Sequence, residues 1–102
     1  MNRAAEHVEA FNLAVTTGEW ATFAARFAQD ARMSFPGLPI GPYDGRAAIA
    51  QAYQGNPPTE TMTILFGDDH ELHFRWSSGN TGTMHLTWTP TAQVATLTIA
   101  FD

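Results

Sequence analysis

Two periodicities divide the chain. Apolar side chains recur every three or four positions in its first half, and alternate with polar ones beyond residue 61. Ala4, Val8, Phe11 and Val15 fall on one helical face, which predicts a helix over 3–16. Asn2 is placed to cap its start. Thr16-Thr17-Gly18 ends it, with Gly18 suited to a left-handed position. A second helix is predicted over 19–28, burying Trp20, Phe23, Ala24 and Phe27. Residues 31–35 alternate, with Met33 and Phe35 opposed to Arg32 and Ser34, as a strand does. The segment 36–42 holds three prolines and two glycines and reads as a loop. Asp44 is then expected to cap a third helix over 45–53, which Gly55-Asn56-Pro57-Pro58 terminates.

Four strands follow, over 61–66, 70–77, 83–89 and 94–101. His70, Leu72, Phe74 and Trp76 share one parity, as do Met84, Leu86 and Trp88, and Ala95, Leu97, Ile99 and Phe101. Glu71, His73, Arg75, Thr83, His85, Thr87, Thr96 and Thr98 take the other. Period two on this scale gives an antiparallel sheet with one apolar and one polar face. Helices early and strands late define the α+β class: three N-terminal helices packed on an antiparallel sheet, in a single domain over 1–102.

Composition narrows the function classes. Ten acidic residues stand against five arginines and no lysine, for a net charge of −5. Arg3, Arg26, Arg32, Arg46 and Arg75 are scattered, so no basic stripe exists to neutralise phosphates, and nucleic acid is not an expected partner. No stretch is long and apolar enough for a bilayer, and the amino terminus reads without a signal core, so no membrane is expected either. Cysteine is absent, which removes thiolate chemistry and disulfides and suits a cytoplasmic protein. His73 and His85 share the polar face without an obvious third ligand, so neither metal nor cofactor is read. Ser34, Ser77 and Ser78 lack a nucleophile context, and no glycine-rich phosphate loop occurs.

The order of elements carries a resemblance. Asp30-Ala31, a short strand, the Pro/Gly loop and Asp44-Gly45-Arg46-Ala47-Ala48-Ile49-Ala50-Gln51-Ala52-Tyr53 are followed by a hairpin at Trp76 and a final strand. This order resembles the nuclear transport factor 2-like superfamily, which includes ketosteroid isomerases and SnoaL-like polyketide cyclases. The resemblance implies a cone, its sheet curved around a pocket. Ketosteroid isomerases bind an oxyanion with a tyrosine and a protonated aspartic acid and use another aspartate as base. By register those positions fall on Phe11, Met84 and Phe35 respectively. None can donate to an oxyanion or carry a proton. A slip of one residue at Phe35 offers Ser34, which is no base alone. Tyr53 matches a tyrosine that hydrogen-bonds within the isomerase site, or else it is a core tyrosine with its hydroxyl at the barrel edge.

The implied pocket is apolar, about 300 Å³, and lined by Phe11, Phe35, Tyr53, Trp76, Met84 and Trp88. Tyr53 is its expected anchor. His70, beside Asp68 and Asp69, is the candidate at its mouth, or else a turn histidine. Asp44-Gly45-Arg46 is best read as a helix start, with contact between Arg46 and an anionic ligand as the alternative. Three functions compete: binding of a small hydrophobic molecule, acid–base catalysis of a SnoaL-like isomerase, cyclase or hydrolase through Tyr53 and His70, and a structural dimer with a filled core. A homodimer formed through the threonine-rich sheet face is expected in any of them.

Overall fold

The computed structural model describes residues 3–102. Their order is α1 (Arg3–Thr17), α2 (Trp20–Ala24), β1 (Phe27–Ser34), β2 (Tyr43–Asp44), α3 (Arg46–Gly55), β3 (Met62–Gly67), β4 (Glu71–Trp76), β5 (Thr81–Trp88) and β6 (Val94–Phe101). The strands form one six-stranded sheet ordered β2-β1-β6-β5-β4-β3. After α3 the chain crosses to the far edge and returns by hairpins, so β6 lands beside β1. Those two strands run parallel and the other neighbouring pairs antiparallel. The sheet is thus mixed where alternation led us to expect antiparallel pairing throughout. Alternation reports which face is buried and is silent on strand order.

The apolar parity forms the core. Leu72 opposes Met84, which opposes Ile99, and Leu86 opposes Leu97, which opposes Met33; all six are at most 3 % exposed. Across from them α1 supplies Ala4, Val8 and Phe11, α2 supplies Trp20 and Phe23, and α3 supplies Ile49 and Tyr53. Gly82 gives the Phe74 ring its place: a Cβ there would lie 2.9 Å from the ring and 2.8 Å from the Ala100 carbonyl. Gly18 has φ 77° and donates its N–H to the Ala14 carbonyl, closing α1 as expected. The cap assigned to Asn2 lies outside the described residues.

Four local expectations are corrected. The second helix stops at Ala24, and β1 already begins at Phe27, which pairs with Val94. Phe27 is buried as anticipated, but from a strand; an irregular register between Phe27 and Arg32 erases the alternation that would have revealed it. Asp44 does not cap α3. It lies opposite Arg32 in β2 and pairs with that guanidinium at 3.6 Å, while Gly45 takes the N-cap position. A second register shift leaves Ala95 without a partner on β5 and turns Val94, not Ala95, fully inward. The third shift, between Ile64 and Phe66, makes Leu65 an extra residue on the edge strand β3, where Ile64, Leu65 and Phe66 are all exposed.

The polar parity forms the opposite face. Cross-strand pairs tie it together: Glu71 with His85 at 2.9 Å, Thr83 with His73 at 3.2 Å, Thr87 with Thr96 at 2.6 Å and Ser34 with Thr98 at 3.1 Å. Among the described residues no helix is long and apolar enough to cross a membrane.

Candidate functional site

An open cavity of about 520 Å³ lies at one end of the sheet. Met33 and Phe35 enter it from the end of β1, and Tyr43 from β2. Ala52 and Tyr53 come from the last turn of α3, Ile40 from the Pro/Gly loop, and Trp76 and Phe101 from the ends of β4 and β6. Its walls are therefore aromatic. Phe35 meets Tyr43 edge-on at 6.4 Å, and Trp76 stacks on Phe101 at 6.0 Å with planes 11° apart. Asn56, Thr59, Glu60 and Asn80 supply polar groups.

Tyr53 is held rigidly. Its ring stacks on Trp20 at 4.8 Å with planes 2° apart and meets Phe23 edge-on at 5.3 Å. Burial drives the phenol pKa well above its ordinary value, so the hydroxyl stays protonated. No group among the described residues hydrogen-bonds that hydroxyl. The Trp76 indole N–H is likewise buried without a partner, an arrangement that a buried donor rarely tolerates.

Glu60 is fixed by the turn that follows Trp76. One carboxylate oxygen accepts the Ser78 N–H at 2.8 Å. The chain on either side is pinned as well, since Ser77 N–H donates to the Thr61 carbonyl at 2.9 Å and Thr61 N–H to the Ser77 hydroxyl at 3.3 Å.

Of the residues expected from the sequence, Phe35, Tyr53 and Trp76 line this cavity. Phe11 and Met84 do not: at 2 % and 1 % exposed they are core, although Phe11 touches both Tyr53 and Trp76 edge-on from behind. At about 520 Å³ the cavity is larger than anticipated. Trp88 stands at the opposite end of β5, and its indole N–H donates to the Asp69 carbonyl at 2.8 Å. His70 is exposed beyond the start of β4, where strand parity no longer directs it; its ring Nδ1 lies 3.3 Å from the Leu86 carbonyl. Asp68 accepts the backbone N–H groups of His70 and Glu71, which holds its carboxyl below the usual range, and it does not orient the imidazole. Ser34 faces Thr98 on the polar sheet face. Arg46 donates its Nε–H to the Phe27 carbonyl at 2.9 Å, away from the cavity.

Ile40, Tyr43 and Glu60 escaped the sequence reading. Each lies in or beside a loop, where no periodicity marks which way a side chain faces. A second cavity of about 250 Å³ lies between α1 and α2, beside Arg26 and Glu19.

Comparison with known proteins bears on the fold. No curated protein matches the sequence. Among solved structures, the Bacillus subtilis protein "Putative Isomerase" superposes with a TM-score of 0.74 at 15 % identity, covering 100 % of this chain and 90 % of that one. A SnoaL-like protein of unknown function from Burkholderia thailandensis E264 gives 0.73 at 16 % identity, covering 98 % and 95 %. A protein from Sphaerobacter thermophilus gives 0.69 at 19 % identity, covering 97 % and 95 %. These likenesses establish a common α+β architecture, helices packed on a curved six-stranded sheet. The sequence pattern of SnoaL-like domains matches residues 4–99, and with nearly the whole chain so covered, this protein belongs to the SnoaL-like domain family.

Proposed function

We propose that the protein binds a small hydrophobic molecule in the cavity walled by Phe35, Tyr53 and Trp76, without converting it. The observation that carries this reading is the open cavity of about 520 Å³ lined by Phe35, Tyr43, Tyr53, Trp76 and Phe101; the Tyr53 hydroxyl takes no hydrogen bond from the described residues and is the group proposed to meet the ligand. Apolar walls favour the ligand by releasing water, and a single hydroxyl orients it. By the register of the resemblance, the positions that act in ketosteroid isomerases fall on Phe11, Phe35 and Met84, which supports binding over that chemistry. The partner is thus a small apolar molecule rather than nucleic acid or membrane, and the absence of cysteine fits a cytoplasmic setting.

Native mass spectrometry of the purified protein, followed by a titration of a hydrophobic fluorescent probe, tests the proposal. A probe that binds wild type should bind Tyr53→Phe about tenfold more weakly, the loss of one hydrogen bond in a desolvated site. Trp88→Phe should leave the affinity unchanged. Probes that ignore the protein speak for a filled core, and a probe that binds Tyr53→Phe as well as wild type removes Tyr53 as the anchor. Incubation with a Δ5-3-ketosteroid should give no turnover, because a missing base and a missing oxyanion donor each remove roughly 10²-fold or more in rate.

One observation favours a second reading. Glu60 brings a carboxylate to the same cavity as Tyr53, a pair able to exchange protons with a substrate. Turnover of any hydrophobic carbonyl compound that is abolished in Glu60→Gln would establish catalysis.

A further inference from the structure

We propose that the cavity selects a positively charged ligand, an apolar body bearing an ammonium group, through the Glu60 carboxylate and the aromatic walls around it. This rests on the reading that the cavity takes a small hydrophobic molecule, and adds the charge that molecule carries.

Three observations support it. Among the described residues that line the cavity, Glu60 is the one acidic or basic side chain. The Glu60 carboxylate has no basic partner among the described residues: Arg32 pairs with Asp44, and His85 lies against Glu71. The guanidinium of Arg46 is turned to the Phe27 carbonyl. Finally, the Ser78 N–H engages only one carboxylate oxygen, at 2.8 Å, leaving the other to a ligand while holding the group beside the Trp76 turn.

Chemistry then decides the sign. The rings of Phe35, Tyr43, Trp76 and Phe101 line the same cavity, and an aromatic face attracts a cation within about 6 Å of its centroid. A neutral ligand filling the cavity would strip water from Glu60 and return nothing to it. An anionic ligand would meet an unpaired like charge as well. An ammonium ion satisfies both the carboxylate and the rings. The net charge of −5 favours the same ligands at long range.

The test uses the intact chain and matched probes: benzyltrimethylammonium, its uncharged isostere neopentylbenzene, and the anion phenylmethanesulfonate. Tryptophan emission and the Trp76 indole N–H resonance report occupancy. Benzyltrimethylammonium should bind about tenfold more tightly than neopentylbenzene, the scale of a partly desolvated cation–π contact with an ion pair. The sulfonate should not bind. In Glu60→Gln, whose amide oxygen still accepts the Ser78 N–H, the preference should fall to about twofold or less with thermal stability unchanged. Raising salt should narrow the preference in wild type and leave the variant unaffected. Equal affinity for the charged and uncharged probes, or a preference that survives Glu60→Gln, overturns the inference while the hydrophobic cavity stands. Failure of both probes to bind removes the cavity reading and the inference together.

Discussion

At residue scale the least expected side chain is His7. It is 1 % exposed, packed against Phe23 at 5.1 Å and Phe27 at 5.7 Å, and its Nδ1 has no hydrogen-bond partner. Burial, and then the nearby charge of Arg26, pull its pKa from 6.5 down to about 3. The unfolded chain therefore binds a proton that the folded chain excludes. Stability is full above the unfolded pKa and falls as pH drops below it. Between pH 7 and pH 5 the loss should be about 2 kcal/mol. In urea unfolding at a series of pH values His7→Leu should remove this slope; a wild-type profile as flat as the variant's would contradict it. Spacing from Ala4 and to Phe11 places position 7 on the buried face of α1, but a histidine reads as polar, so the sequence conceals it. Phe11 and Met84 were legible for the converse reason: buried apolar parity identifies core residues well. It does not distinguish a residue that fills the core from one that borders a cavity.

At element scale, the Asn12 side chain ties α1 to the edge strand β3. Asn12 donates its amide to the Met62 carbonyl at 2.9 Å and accepts the Met62 N–H at 2.8 Å, as a neighbouring strand would. Asn12→Ala leaves both backbone groups unsatisfied and should destabilise the fold by about 2 kcal/mol. Hydrogen exchange should show the change concentrated at Met62 and its neighbours, and uniform loss of protection would refute a local clamp. The bounds of α1 and of β3 to β6 were legible to within a residue or two, although the register shifts in β3 and β6 hid which of their residues face inward. The start of β1 was not. Around Ala28 to Ala31 the irregular pairing of β1 destroys alternation, and the preceding Trp20, Phe23 and Phe27 imitate helical spacing. The two-residue strand β2 has no period to read; it is held by its pairing with Arg32 and Met33.

At the scale of the whole molecule, strand order was illegible, because nothing in the alternation states that β6 returns beside β1. The assignment of faces was legible, and it leads to a proposal about assembly. Thr83, Thr87, Thr96, Thr98, His73, His85 and Arg75 share the sheet face opposite the helix-packed core. Flat β-branched side chains suit a two-fold, partly wet contact with a second copy. Light scattering should give twice the monomer mass at micromolar concentration, and Thr96→Arg should return it to the monomer mass. A wild-type monomer at high micromolar concentration would end the dimer proposal.

The extra residue in β3 has a consequence for colloidal behaviour. Ile64, Leu65 and Phe66 are 38 %, 40 % and 63 % exposed on a strand with no neighbour on its outer side. A straight, greasy edge of that kind is a template on which other chains stack into fibrils. Leu65 bends the strand and breaks its hydrogen-bonding rhythm, so an incoming strand finds no continuous row of partners. Deleting this one leucine would remove little from the core, yet it would straighten the edge. A concentrated solution of the Leu65 deletion should therefore turn cloudy sooner than wild type, which turbidity would show.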